Sequence, residues 1–322
     1  MPLLKSSNYK APFYLFNRHL ETIVPSTLRK VALPPYQRER LKTPDEDFLD
    51  LDWLRKGAAD LVILSHGLEG SSDRPYVKGM AKAFWEHGWD VLAWNCRSCS
   101  GEMNLARRMY HHGATDDVEA VVNHALTKEG YKRIALVGFS MGGSLTLKYL
   151  GEGGRVLPKE LYRAAVFSVP CDLGSSSRAL SSWDNTIYRR RFMGKLYKKL
   201  QAKLEQQPDL PIDLSRFSQI RDFAEFDTCY TAPLHGFKDS DDFYAQASAG
   251  QYITGIKVPT LLVNAQNDPM LPISCFPVEA VRNHPFVYLE MPARGGHVGF
   301  WQGKHKPTWA EERAVAWMEE KV

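Results

Sequence analysis

The chain has 322 residues, a formal net charge of +4, 44% hydrophobic and 24% charged residues. That length supports a large buried core, and so small a net charge gives no argument for nucleic acid or an anionic membrane as partner. No apolar run reaches the roughly 18 residues that a membrane-spanning helix needs.

The opening residues lack a long apolar core and a small-residue cleavage site, so no secretory signal is expected. Five cysteines, an odd number, fit reduced thiols and a cytoplasmic setting. Residues 1–36, with Phe13, Tyr14, Phe16, Pro25, Pro34 and Pro35, read as an arm packed on a domain spanning 37–322. Segments 37–42 and 48–55 alternate polar and apolar residues around a turn at 43–47, which predicts an antiparallel hairpin at the leading edge of a sheet. Short apolar runs follow at 61–65, 90–95, 134–137, 164–169, 260–264 and 286–290. Runs that are apolar on both faces suit central strands of a parallel sheet. Between and after them, helices are expected at 75–87, 115–128, 140–150, 274–283 and 307–320. This alternation is the pattern of an α/β fold, with a mostly parallel sheet and helices on both faces. It breaks between about 171 and 250, a stretch too long for a loop and read as an inserted helical lid with helices near 186–206 and 215–228. No internal repeat or low-complexity tract is present.

Gly138-Phe139-Ser140-Met141-Gly142 directly follows one of the apolar runs and opens a helical segment. Strand, G-x-S-x-G, helix is the context of a nucleophile elbow, where a strained turn lifts a serine hydroxyl above the sheet. The glycines let strand and helix approach closely; the plainer alternative is a glycine-rich turn that happens to hold a serine. A serine hydroxyl needs a base, and the base needs an orienter. In this architecture both come later, acid before histidine. Asp268 lies in the loop after 260–264, and His297 in the loop after 286–290. Asp268 before Pro269 could equally start a turn, and His297 could be a surface histidine; their joint position favours catalysis. The developing oxyanion requires two backbone donors. Met141 N–H, after the serine, and Leu68 N–H, in the loop Ser65-His66-Gly67-Leu68-Glu69, are the candidates, with His66 bracing the loop.

His66-Gly67-Leu68-Glu69-Gly70, the run from Asn95 to Glu102, Tyr110-His111-His112-Gly113, the elbow, Asn267-Asp268-Pro269 and Gly295-Gly296-His297-Val298-Gly299-Phe300 together resemble the YheT-like branch of α/β-hydrolases. Asn17-Arg18-His19-Leu20-Glu21-Thr22-Ile23 resembles that branch's amino-terminal motif. The resemblance implies a serine hydrolase for carboxylic esters that works through an acyl-enzyme, with Ser140 as nucleophile, Asp268 as acid and His297 as base. It implies no metal or organic cofactor and a small-molecule or lipid-like ester substrate. Acyltransferase or thioesterase chemistry would use the same triad, and a silent fold used only for binding is the alternative of a different class.

Other features have plainer readings. The pair Cys96 and Cys99 lacks partners for a zinc site, and adjacent His111 and His112 rarely share one ion. The basic stretch with Arg189, Arg190, Arg191, Lys195, Lys198 and Lys199 is a solvated helix face, or else a dock for an anionic headgroup, an acyl-phosphate carrier or a membrane surface. Asp239 to Asp242 reads as a solvated acidic turn. Trp183, Phe192, Tyr197, Phe217, Phe223 and Phe226 are candidates to line an acyl pocket.

Overall fold

The computed structural model describes residues 3–4, 7–128 and 130–320. The signal-peptide reading therefore falls partly on residues outside that set, as do the first and last residues of the two expected segments. Among the described residues one sheet contains β1 (Leu3–Leu4), β2 (Gln37–Lys42), β3 (Phe48–Leu54), β4 (Asp60–Ser65), β5 (Asp90–Asn95), β6 (Arg133–Phe139), β7 (Leu161–Phe167), β8 (Thr260–Val263) and β9 (Val287–Glu290). Their order is β1-β9-β8-β7-β6-β4-β5-β3-β2, and every pairing is parallel except those of β3 with β5 and with β2. The helices are α1 (Arg18–Leu28), α2 (Pro75–Glu86), α3 (Thr115–Leu126), α4 (Met141–Gly151), α5 (Leu173–Ser181), α6 (Thr186–Gln206), α7 (Phe223–Phe226), α8 (Ala232–His235), α9 (Ser240–Ala247), α10 (Val278–Val281) and α11 (Trp309–Glu319).

The period-two geometry of a strand sends alternate residues to opposite faces. Leu61 and Ile63 of β4 join a core with α3 and α4, while Val62 and Leu64 join a second core with α2 and α11. Both faces are thus covered, which is why these strands read as continuous apolar runs.

The hairpin forms as expected, with β2 at the edge. All of β3 is buried, however, including Asp50 and Asp52. Register explains this: Arg38 lies opposite Asp52 and Arg40 opposite Asp50, each guanidinium gripping its carboxylate through two nitrogens. The loop after β5 is tied down in the same way. Arg97, 1% exposed, reaches Asp47 in the hairpin turn at 2.6 Å and Asp117 on α3 at 2.7 Å. Cutting such a buried pair leaves an uncompensated charge and costs about 3–5 kcal/mol. The cysteines flanking Arg97 belong to this bracket, with Cys99 N–H donating to Cys96 O at 2.9 Å, and all five cysteines are free thiols.

Three elements depart from expectation. Helix α1 forms within the arm despite Pro25. Asn17 caps it by accepting from the His19 and Leu20 amides at 3.0 and 2.9 Å. The expected helix at 274–283 shrinks to a short 3₁₀ turn and α10, because Pro277 removes a donor and restricts the residue before it. The expected helix at 215–228 is a 3₁₀ turn, then α7, then a π-type turn over Asp227–Thr231. The segment between β7 and β8 is otherwise helical, with α6 matching its expected span. Asp239 caps α9 by accepting from Asp242 N–H at 2.9 Å, so that acidic cluster is a helix start rather than a plain turn.

Candidate active site

Ser140 sits between β6 and α4 with φ 53° and ψ −119°, a conformation L-residues rarely adopt. Such strain costs on the order of 1–3 kcal/mol and persists only where the surroundings over-determine it. They do so here. Ser140 N–H donates to Phe167 O on β7 at 2.9 Å. A Cβ on Gly138 would collide with the Gly142 carbonyl, and one on Gly142 with the Ser65 carbonyl. Both positions of the motif therefore accept only glycine for reasons of space.

His297 Nε2 lies 3.0 Å from Ser140 Oγ, and His297 Nδ1 lies 2.8 Å from Asp268 Oδ2. Asp268 Oδ1 accepts from Met270 N–H at 2.8 Å, and its side chain is fully buried. The three candidates from three separated loops thus form one hydrogen-bonded line.

The loop after β4 lies against the serine. A Cβ on Gly67 would stand 3.1 Å from Ser140 Cβ. His66 is buried, its Nε2 accepting Cys96 N–H at 3.0 Å, which leaves Nδ1 to donate to Gly67 O at 2.7 Å. That fixes a neutral tautomer and the bracing role expected of it. Met141 N–H is one of the amides that the start of α4 leaves unpaired. Leu68 lines both cavities that open on Ser140.

What the sequence reading missed is the scaffold of the histidine loop. Four consecutive amides are each held by a side chain from elsewhere. Gly295 N–H donates to Glu21 Oε2 at 2.6 Å, Gly296 N–H to Asn267 Oδ1 at 3.1 Å, His297 N–H to Thr22 Oγ1 at 3.0 Å, and Val298 N–H to Ser168 Oγ at 2.9 Å. Glu21 also accepts from Arg294 Nε at 2.8 Å. Glu21 and Thr22 belong to α1, and a Cβ on Gly296 or Gly299 would strike the Glu21 backbone. Glu21, Thr22 and Asn267 stand inside motifs visible in the sequence, but no local pattern says what they hold.

Two cavities, of about 120 and 140 Å³, open on Ser140 and His297. The first is largely apolar, walled by Phe192, Leu196 and Leu200 of α6, Phe223 and Phe226 of α7, and Tyr230. Three of the six aromatics expected there are present. Tyr197 and Phe217 instead pack on each other, ring centres 4.7 Å apart, because Tyr197 is five residues past Phe192 and turns to another side of the helix. Trp183 is no pocket residue; it is 88% exposed. His111 lines the first cavity and packs against His235 at 4.6 Å, and burial pushes its pKa well below the usual histidine range. Burial brings His112 down to about 4. No cluster of three or more metal-ligating side chains exists among the described residues.

A parallel sheet, an elbow serine and a histidine loop beyond the last strands define an α/β-hydrolase. The chain belongs to that family: residues 60–304 match its α/β-hydrolase-fold model. Within it the chain belongs to the YheT-like branch, being 34% identical over 94% of its length to YheT of Escherichia coli (strain K12), which bears a provisional esterase name, and covering 90% of that protein. It is 31% identical to phospholipase ABHD3 of Mus musculus over 84% of this chain and 68% of that one. Among solved structures it resembles the Pyrococcus furiosus esterase Pf2001 in fold, with a TM-score of 0.60, 19% identity, and coverage of 90% and 97% of the two chains.

Proposed function

We propose that the protein hydrolyses carboxylic esters through an acyl-enzyme, with Ser140 as nucleophile, His297 as general base and Asp268 as its orienter. The observation that carries this reading is the unbroken line from Asp268 Oδ2 through His297 to Ser140 Oγ, with links of 2.8 and 3.0 Å, at a strained elbow. His297 Nε2 takes the Ser140 proton as Oγ attacks the acyl carbon. Asp268 keeps the proton on Nδ1 and balances the imidazolium that forms. The oxyanion is received by the amides of Leu68 and Met141. His297 then delivers the proton to the leaving alkoxide, and water, activated by the same histidine, releases the acid.

The apolar cavity suits the acyl chain. Residues 171–250 act as its lid and residues 1–36 as an arm that clamps lid and histidine loop together. Contacts of α1 support this: Arg18 pairs with Asp184, and His19 Nδ1 lies 3.2 Å from Tyr188 Oη on α6. We place the protein in the cytoplasm, in touch with lipid surfaces only peripherally. Its free cysteines fit that setting, and no described helix is long and apolar enough to cross a membrane.

The test combines a fluorophosphonate label with p-nitrophenyl esters from acetyl to palmitoyl. Wild-type protein should be labelled at Ser140, and Ser140→Ala should fold, escape labelling and lose nearly all turnover. Asp268→Asn should keep the geometry and fall on the order of 10³–10⁴-fold in kcat, by analogy with serine proteases. A Ser140→Ala protein retaining more than about a tenth of wild-type turnover refutes the assignment.

A further inference from the structure

The second cavity has much apolar wall, as the first does, but differs from it in the charged side chains around it. Its wall carries Arg29, Arg74, Arg191 and Lys195, and Glu69 is the acidic side chain beside them. Most of that charge is not cancelled. Arg29 is paired through both terminal nitrogens with Glu311. The Glu69 carboxylate is already held by Lys199 Nζ at 2.6 Å and by Tyr110 Oη at 2.5 Å. Arg74, Arg191 and Lys195 have no carboxylate partner among the described residues.

Two of these cations converge on one atom. The Glu69 carbonyl oxygen accepts from Arg74 Nη2 at 2.9 Å and from Lys195 Nζ at 3.0 Å. Glu69 follows Leu68, the oxyanion donor, and its own φ is 53°. A single carbonyl offers only partial charge, so two full charges sharing it repel each other. Arg191 adds a third, one helical turn before Lys195 on α6, and like charges at that spacing destabilise a helix. Burial and Arg74 together lower the Lys195 pKa. Such an arrangement is relieved by an anion with several acceptor oxygens, to which arginine and lysine bind by charge-assisted hydrogen bonds.

We propose that this cavity is an anion subsite for the leaving half of the substrate, taking a phosphate group borne by the alcohol or thiol from which the acyl chain is cleaved. The inference rests on Ser140 as nucleophile. The two cavities meet at Ser140, Leu68 and His297, so an acyl chain in the apolar one directs the leaving group into the cationic one. The phosphate is a handle and stays intact. The bond formed is from Ser140 Oγ to the acyl carbon, the bond broken joins that carbon to the leaving oxygen or sulfur, and the proton on His297 goes to the leaving atom.

The experiment compares matched monomeric substrates, 1-octanoylglycerol 3-phosphate and 1-octanoylglycerol, with octanoyl-coenzyme A as a third arm. Wild-type kcat/KM should favour the phosphate ester over the neutral one by at least about ten-fold, the worth of one charge-assisted hydrogen bond. In R191Q/K195Q that ratio should fall towards one, chiefly through KM. R191E, a change at an exposed position, should lower it without touching the Glu69 carbonyl contacts. Preference for octanoyl-coenzyme A over the glycerol phosphate supports the subsite and assigns it to a phosphorylated acyl carrier; the reverse order assigns it to a lipid headgroup. Glycerol 3-phosphate should inhibit competitively. Inorganic phosphate inhibiting equally well, with no preference among the esters, overturns the substrate role, as does a ratio at or below one or one unchanged in both variants. Should Ser140 escape the fluorophosphonate and no ester be turned over, the esterase reading fails first. Labelling and neutral-ester turnover without phosphate preference refute the subsite alone.

Discussion

Glu21 is buried completely, far in sequence from every triad member, yet it holds Gly295 N–H, Arg294 and Asn267. Hydrogen bonds to a charged group are worth roughly 1.5–3 kcal/mol, about twice those between neutral groups. The neighbouring amides of the same loop rely on Asn267, Thr22 and Ser168. Glu21 therefore acts through His297 rather than on substrate. Glu21→Gln puts an amide nitrogen where one of these donors needs an acceptor and removes the charge facing Arg294. The expected outcome is a loss of about 1–3 kcal/mol in urea unfolding and a fall in kcat of at least about ten-fold, with KM little changed, since orientation of the base is lost and not the pocket. A merely structural role would lower the amount of folded enzyme and leave kcat per labelled Ser140 intact.

At the scale of elements, α6 separates two tasks by helical period. Phe192, Leu196 and Leu200 recur every four residues and wall the apolar cavity, while Arg191 and Lys195, also four apart, face the cationic one. Replacing Phe192, Phe223 or Phe226 by alanine should shift the preferred p-nitrophenyl ester chain length upward. Tyr197→Ala and Phe217→Ala should leave the profile alone while costing about 0.5–1.5 kcal/mol in stability through the lost ring pair. An unchanged profile across the first three would mean that core loops and arm build the pocket. The π-type turn after α7 carries a second consequence. Asp227 accepts from Thr231 Oγ1 at 2.5 Å and Tyr244 Oη at 2.7 Å, and burial pushes its pKa up to about 6. The folded chain then binds this proton more tightly than the unfolded chain does. Its stabilising contribution is complete below about pH 4 and is lost as the pH rises through 6. Asp227 shows part of its surface in the water-accessible cavity, so the loss should be on the order of 1–2 kcal/mol rather than the full linkage value. Urea titrations at pH 4.5 and 7.5 should show this decline in wild type and a smaller one in Asp227→Asn.

On the whole molecule, the segments before α1 and around the start of α6 both leave large apolar side chains exposed. Phe13 and Phe16 are 91% and 75% exposed, Trp183 and Ile187 88% and 68%. The ion pair of Arg18 with Asp184 brings the two segments together. Exposed Arg190, Arg191 and Lys198 lie on the same helix as Ile187. Aromatic anchors beside basic residues are what binding to a lipid interface requires. Phe16→Ser/Trp183→Ser should lower partitioning onto vesicles of mixed neutral and anionic lipid by about ten-fold or more, since each apolar side chain withdrawn from water contributes roughly 1.5–3 kcal/mol. Hydrolysis of monomeric esters should be unaffected. Equal flotation of variant and wild type would remove the lipid-surface role.

The sequence alone determined the α/β alternation, because a strand buried on both faces must be apolar throughout, and it determined the elbow, because two collisions with backbone admit only glycine at 138 and 142. It also placed Asp268 and His297, since the ends of consecutive parallel strands necessarily converge on one edge of the sheet. It fixed α6 by composition, overextended α10 back across Pro277 and missed α1, whose segment is interrupted by Pro25. Only the tertiary structure decided what crosses between distant segments. The buried Arg97 bracket, the grip of Glu21 on the histidine loop, and the two unlike cavities meeting at Ser140 each join residues whose separation along the chain carries no periodic signal. A hydrogen bond or a cavity wall depends on distance in space, and local pattern reports only which face of an element a residue occupies.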